Sequence, residues 1–154
     1  MSLEKELNLD RPMEDPQHEA VLSVVRTASL LSLKGADLFR RFDLTEAQFN
    51  VLFSLKYKEK VWTQSDLGKR LVVTRASVTS VLDKLESKGL VLRKAVEGNR
   101  RIYHIDLTPA GRKLIDEVEP LYRHDIQDVM ADLDAASCHA LIRDLEKIRE
   151  RCGR

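Results

Sequence analysis

The stretch WTQSDLGKRLVVTRASVTSVLDKLESKGLVLRKAVEGNRRIYHIDL, residues 62–107, decides how this 154-residue chain folds. Two helix starts of the same form stand in it: Trp62-Thr63 leads into Asp66 and Leu67, and Val73-Thr74 leads into Ser77 and Val78. In each, the threonine hydroxyl can accept an orphan backbone N–H of the first turn, and the apolar residue before it can staple to the apolar residue at the fourth position. The spacing therefore predicts helices over 63–70 and 74–88, joined by the three-residue turn Leu71-Val72-Val73. Gly89 stands where a left-handed residue ends the second helix, and Leu90 can reach back to Leu85 in a Schellman closure. Residues 90–94 and 101–107 then alternate or run apolar with β-branched residues on either side of Ala95–Asn99, whose Gly98-Asn99 supplies turn geometry. That reads as a two-stranded hairpin.

Outward from this segment the pattern is helical on both sides. Leu44-Thr45, leading into Gln48 and Phe49, repeats the capped start and predicts a helix over 45–58. Before it, Val21, Val24, Ala28, Leu31, Gly35, Leu38 and Phe42 recur at alternating steps of three and four, one continuous stripe over 18–42 in which small Ala28 and Gly35 would let another helix approach. Residues 1–17 carry Pro12 and Pro16, mixed charge and no apolar period, and read as a flexible arm. Downstream, Leu107-Thr108-Pro109 opens a helix with threonine as cap and proline at the tolerated first position. Its apolar face is Ile115, Val118, Tyr122, Ile126, Val129 and Leu133, with a kink expected at Pro120. Asp134 caps a last helix on which Cys138, Leu141, Leu145, Ile148 and Cys152 form a heptad-like seam. The order helix, turn, helix, hairpin is that of a winged helix-turn-helix. The expected architecture is thus mainly α with a two-stranded β-wing: a winged lobe over 44–107, with helical dimerisation regions over 18–42 and 108–152, all in one domain over 18–152.

Composition narrows the function classes. Hydrophobic residues make up 43% and charged residues 33%, with six Gly and four Pro, which suits a globular, mainly helical protein. The apolar runs at 71–73 and 90–92 are far too short to cross a bilayer, and the acidic start has no signal-peptide pattern, so the cytoplasm is the expected compartment and no membrane partner is expected. Cys138 and Cys152 form no C-x-x-C pair and suit a reducing compartment. The net charge is only +1, but residues 62–105 hold nine Lys/Arg against four acids, a local +5 that leaves the remainder at −4. A basic middle between acidic flanks is what a DNA-facing module on a non-DNA scaffold shows.

Geometry assigns the faces of the 74–88 helix. Val78, Val81, Leu82 and Leu85 share one side, leaving Ala76, Ser77, Thr79, Ser80, Asp83, Lys84 and Ser87 opposite or flanking. Short hydroxyl side chains let a helix settle in the major groove and bond base edges or phosphates, Arg75 can reach a phosphate or guanine, and Arg100 and Arg101 can enter the minor groove. The candidate DNA-binding residues are Thr63, Gln64, Thr74, Arg75, Ala76, Ser77, Thr79, Ser80, Lys84, Asn99, Arg100 and Arg101. Lys58, Lys60 and Lys88 read instead as solvated surface charges. Apolar seams on the first and last helices exceed what a small winged core can cover, which points to a homodimer. A two-fold dimer sets its recognition helices about one DNA turn, ~34 Å, apart, and so calls for a palindromic operator in double-stranded DNA.

The segments WTQSDL (62–67), VLDKLESKGLV (81–91), Arg100-Arg101 and LTPAG (107–111) resemble the MarR family, and the likeness extends over almost the whole chain from residue 18. The resemblance implies a homodimer in which the first and last two helices interlock, a recognition helix over 74–88, a wing arginine at Arg101, and repression relieved by a small-molecule effector bound between the dimerisation helices and the DNA-binding lobe. The family usually has Asp where this chain has Asn99, which can still accept a bond from Arg101 but brings no charge.

Sharper alternatives within that fold are cysteine-based redox sensing through Cys138 or Cys152 and metal sensing through the i, i+4 pair His124 and Asp128. A solvated face explains the pair as well, and a heptad seam explains the cysteines. Phe39, Phe42, Phe49, Phe53 and Tyr122 could line an effector pocket or pack the core. No Gly-rich phosphate loop, H-E-x-x-H or G-x-S-x-G pattern is present, so neither an enzyme nor a cofactor is expected, and no metal ligand set is assigned. A winged helix used for protein contact is the remaining alternative, one that would not need a hydroxyl-rich helix face or wing arginines.

Overall fold

The computed structural model describes residues 3–59, 62–70, 75–96 and 99–153, with the backbone alone at 75–77, 96 and 99–102. Among the described residues the elements in chain order are α1 (Leu3–Glu6), α2 (Pro16–Arg40), α3 (Glu46–Lys56), β1 (Trp62–Thr63), α4 (Gln64–Arg70), α5 (Arg75–Ser87), β2 (Val91–Val96), β3 (Asn99–Leu107), α6 (Pro109–Val129) and α7 (Ala135–Cys152). The turn expected at 71–73, the Thr74 cap and Glu97-Gly98 at the hairpin tip lie outside the described residues.

The caps explain the boundaries. The Gln48 N–H donates to Thr45 Oγ1 at 3.2 Å while the Thr45 N–H donates to Gln48 Oε1 at 2.9 Å, a complete capping box that starts α3. Thr63 and Asp66 make the same reciprocal pair for α4, at 3.3 and 2.9 Å. Thr108 Oγ1 accepts from the Gly111 N–H at 3.0 Å, and Asp134 Oδ1 from the Ser137 N–H at 2.8 Å. A hydrogen bond from the Ser137 side chain, then one from its backbone, holds the Asp134 carboxyl below the usual aspartate value. At the end of α5, Gly89 takes φ +67° and the Leu90 N–H donates to Leu85 O at 2.9 Å, the expected Schellman closure.

Two features differ from the sequence expectation. α2 begins at Pro16 rather than His18, because Asp15 caps it through the Gln17 N–H and Pro16 fills the first position, where no N–H is needed. Before it, residues read as a bare arm include the α1 turn, and they are tied back: the Met13 N–H donates to Glu4 Oε1 at 3.0 Å, and Glu6 pairs with Arg26 of α2 at 3.2 Å. The hairpin also gains a third strand. β1 pairs antiparallel with β3, Trp62 opposite Ile105 and Thr63 opposite His104, so the sheet order is β1-β3-β2. Within the hairpin Val91 faces Leu107 and Arg93 faces Ile105, with an irregularity between Ala95 and Val96.

The chain divides into two compact units, Met1–Val118 and Glu119–Arg154. The first holds the core: Leu38 and Phe39 of α2, Phe49, Val51, Leu52 and Leu55 of α3, Trp62, Leu67, Val78, Leu82, Leu85, Ile105, Ile115 and Val118 are all buried. The Phe39 and Phe49 rings stack at 4.3 Å, which makes them core packing. Gly35 makes room for that stack, since a Cβ there would meet the Phe39 ring at 3.2 Å. The second unit comprises the end of α6 and all of α7, which buries no described residue and exposes Leu141, Ile142 and Ile148. α6 is one helix from Pro109 to Val129, running through Pro120. No helix among the described residues is long and apolar enough to cross a membrane.

Candidate nucleic-acid interface

α5 is built with one side for the core and one for solvent. Val78, Leu82 and Leu85, spaced by four and three residues, are each 1% exposed or less, while Thr79, Ser80, Asp83, Lys84 and Ser87 are exposed. This is the small, polar outer face that the apolar spacing predicts, and it can enter a groove about as wide as a helix. Gln64, in the first turn of α4, donates from Nε2 to Thr79 Oγ1 at 2.5 Å, so a half-buried residue of the first helix meets an exposed one of the second. Thr63 is half-buried and committed to its pair with Asp66; its hydroxyl also donates to Asp66 Oδ2 at 2.8 Å. The side chains of Arg75, Ala76, Ser77, Asn99, Arg100 and Arg101, and the whole of Thr74, lie outside the described residues.

The hairpin is fastened to α5 by a residue that sequence reasoning counted only as a charge. Arg93 of β2 reaches Asp83 Oδ1 at 2.6 Å and Glu86 Oε2 at 2.7 Å, with its own side chain only 16% exposed. Asp83 and Glu86 are three apart, hence neighbours on the helix surface, and one planar guanidinium spans both. The bridge joins helix to wing. It also sets one positive charge between two carboxylates, which lowers their combined field from −2 to −1. The i, i+3 acids followed by an arginine just inside the next strand are the signal that was available; the pairing itself needs the fold.

Two lysines read as solvated are structural instead. Lys58 is 13% exposed at its side chain and donates to Ile105 O at 2.8 Å while pairing with Asp106, which fixes the end of α3 to β3. Lys88 pairs with Asp43 Oδ2 at 2.9 Å and also donates to Asp43 O, holding a turn in which Asp43 takes φ +53°. Aspartate tolerates that left-handed conformation better than most residues. Lys60 lies outside the described residues. Exposed cations on the lobe include Lys84 and Lys94, and Arg70 stacks over the Trp62 ring at 4.3 Å, so it is held rather than free. The free cysteines are half-buried Cys138 and exposed Cys152.

The geometry is matched by comparison with known proteins. The model of the MarR family matches residues 44–103, the span from the α3 cap to the middle of β3. The HTH-type transcriptional regulator PecS of Dickeya dadantii is 27% identical over 144 residues, 90% of this chain and 87% of its own length. Among solved structures, S. aureus MepR in complex with DNA superimposes with a TM-score of 0.77 at 25% identity, over 84% of this chain and 96% of its own. Bordetella bronchiseptica BpsR, whose DNA binding is regulated by 6-hydroxynicotinic acid, superimposes with a TM-score of 0.68 at 25% identity, over 82% of this chain and 98% of its own. A polar-faced helix with a hairpin bolted beside it, in the order and over the span these proteins share, marks residues 44–103 as a MarR-family winged helix-turn-helix domain, in a chain whose likeness to transcription regulators extends well beyond that span.

Proposed function

We propose that this regulator acts as a homodimeric repressor in the cytoplasm, reading a palindromic operator with α5 in the major groove and the wing arginines in the adjacent minor groove, and leaving it when a small molecule binds. The observation that carries the reading is the outer face of α5: Thr79, Ser80 and Lys84 stand exposed opposite three core residues, on a helix braced to the hairpin by Arg93. Dimerisation is supported by exposed Val21, Val24, Val25 and Leu31 on α2 and Leu141, Ile142 and Ile148 on α7, an amount of apolar surface that a monomer rarely leaves in water. The ligand step is supported by the likeness to BpsR. Thr63 and Gln64 at the start of α4 flank the groove-entering helix, and Thr74, Arg75, Ala76, Ser77, Asn99, Arg100 and Arg101 complete the proposed surface. Activity as a regulator asks for no catalytic centre.

A gel shift with DNA from upstream of the chain's own coding sequence tests this. Wild type is expected to retard it, with affinity falling about 10³-fold or more between 50 and 200 mM salt as counterions are released. Arg75→Ala and Arg101→Ala should each weaken binding about ten-fold or more. Retention of full affinity by both variants, or a salt-independent complex, would overturn the assigned surface.

A further inference from the structure

The start of α6 meets the end of the recognition helix through its backbone. Thr108 Oγ1 donates to Gly89 O at 2.6 Å, and the Thr108 N–H donates to Leu90 O at 3.1 Å. Those two carbonyls belong to the residues that close α5: the Gly89 N–H donates to Glu86 O and the Leu90 N–H to Leu85 O, both at 2.9 Å. The same Thr108 oxygen accepts the Gly111 N–H that starts α6. One hydroxyl thus caps one helix while it grips the terminal loop of another. The approach is closer than any side chain would allow, because a Cβ on Gly111 would lie 1.9 Å from Leu90 O and 2.9 Å from its carbonyl carbon. The joint leaves no slack for sliding.

We infer that Thr108, seated by Gly111, is a positioning residue for DNA reading: it welds the C-terminal end of α5 to the first turn of α6, so that a movement of α6 turns the recognition helix with it. The hydroxyl has two separable tasks. As acceptor it caps α6, and as donor it holds Gly89 O, a bond lost with the proton rather than with the oxygen. α6 is continuous from this joint to Val129, so the joint lies at the first turn of a 21-residue helix. The inference rests on the reading of α5 as the DNA-contacting helix.

The two tasks can be divided by substitution. Thr108→Ser keeps donor and acceptor. Thr108→Asp keeps a strong N-cap acceptor but cannot donate to Gly89 O. Thr108→Val keeps the shape and loses both. Each is compared with wild type for melting temperature, for affinity to the upstream DNA, and for the distance between nitroxides at exposed positions 84 and 113 of one protomer, diluted with unlabelled protein. The serine variant is expected to match wild type throughout. The aspartate and valine variants should broaden the 84–113 distance distribution and lose about ten-fold or more in DNA affinity, with the aspartate variant melting near wild type because its cap survives. A narrow, wild-type distance distribution in both variants overturns the inference, and so does a broadened one with unchanged affinity. Weak binding by the aspartate variant alone, at an unchanged distance, assigns the loss to its added charge and overturns it equally. If wild type fails to bind the DNA, the reading of α5 fails, while the distance measurement still decides whether the joint is rigid.

Discussion

The lobe around α3, α5 and the sheet and the helices at the two chain ends are built from similar proportions of apolar residues, yet they finish differently. In the lobe, Leu52, Leu55, Leu67, Leu82, Leu85 and Ile105 are fully buried within the same chain. On α2 and α7, Val25 at 57%, Leu33 at 64% and Ile142 at 49% exposure are not. A helix apolar over so much of its circumference is stable only when something covers it. The lobe therefore buries its own apolar surface, whereas the end helices leave theirs open, as the proposed dimer requires. On the proposed function, a single chain contains a part that specifies what is read and a part that specifies how many copies read it.

The largest expected effect separates the two parts directly. Leu82→Ala removes a fully buried side chain from the back of the recognition helix and should destabilise the protein by about 2–5 kcal/mol. Leu141→Ala, on the exposed seam, should change the stability of a dilute sample by about 0.5 kcal/mol or less. Chemical denaturation at low protein concentration measures both, and equal losses would erase the distinction. Association should appear as a melting temperature that rises with wild-type protein concentration, since binding a second copy stabilises only the folded state. Ile142→Glu should remove that dependence and yield monomers in sedimentation, with the circular dichroism of the lobe preserved.

A smaller effect tests the brace inside the lobe. Arg93→Met leaves Asp83 and Glu86 without their common partner; because both acids are partly solvated, the loss should be about 1–2 kcal/mol rather than the larger cost of a fully buried pair. DNA affinity should fall further than stability alone explains, because the wing is no longer fixed to the helix and two carboxylates lose the cation that offset them beside phosphate. Restoration of stability by Asp83→Asn with Glu86→Gln in the Arg93→Met background, without restoration of affinity, would assign the affinity loss to geometry.

What could be read from the sequence follows the range of the interactions. Thr45, Thr63, Thr108 and Asp134 were legible as caps because each bonds a residue three positions on, and Gly89 was legible because a helix end needs its φ. The apolar period that buries Val78, Leu82 and Leu85 leaves Thr79, Ser80 and Lys84 outward by the same arithmetic. The contacts of Arg93, Lys58 and Lys88 were not legible, since they cross between elements whose separation along the chain says nothing of their distance in space. β1 escaped notice because two residues are too few to show alternation. The second apolar side of α2, with Leu30 and Leu33, was hidden by the regular stripe beside it. The DNA-contacting candidates divide on the same line: Thr79, Ser80 and Lys84 are exposed as the helical period predicts, while Thr74, the side chains of Arg75, Ala76 and Ser77, and residues 97–98 lie outside the described residues.

The smallest expected effect concerns α7 and is a matter of pH. Hydrogen bonds from Ser137 hold the Asp134 carboxyl below its ordinary value, so the charged form is favoured in the folded protein. A depressed carboxyl contributes stability that is fully present above its unfolded value and is lost as pH falls through its folded value. Acidification below the usual aspartate range should therefore fray the first turn of α7 while the Thr45 cap of α3, a hydroxyl with no proton to gain there, stays closed. Amide exchange at Ser137 and Gln48 measured across that range reads the two caps side by side. Opening at Ser137 with Gln48 still protected is the expected result, and Asp134→Asn should flatten the pH dependence because asparagine caps without titrating. Simultaneous opening at both positions would mean that acid acts on the whole fold, and that the two regions are less independent than their buried surfaces imply.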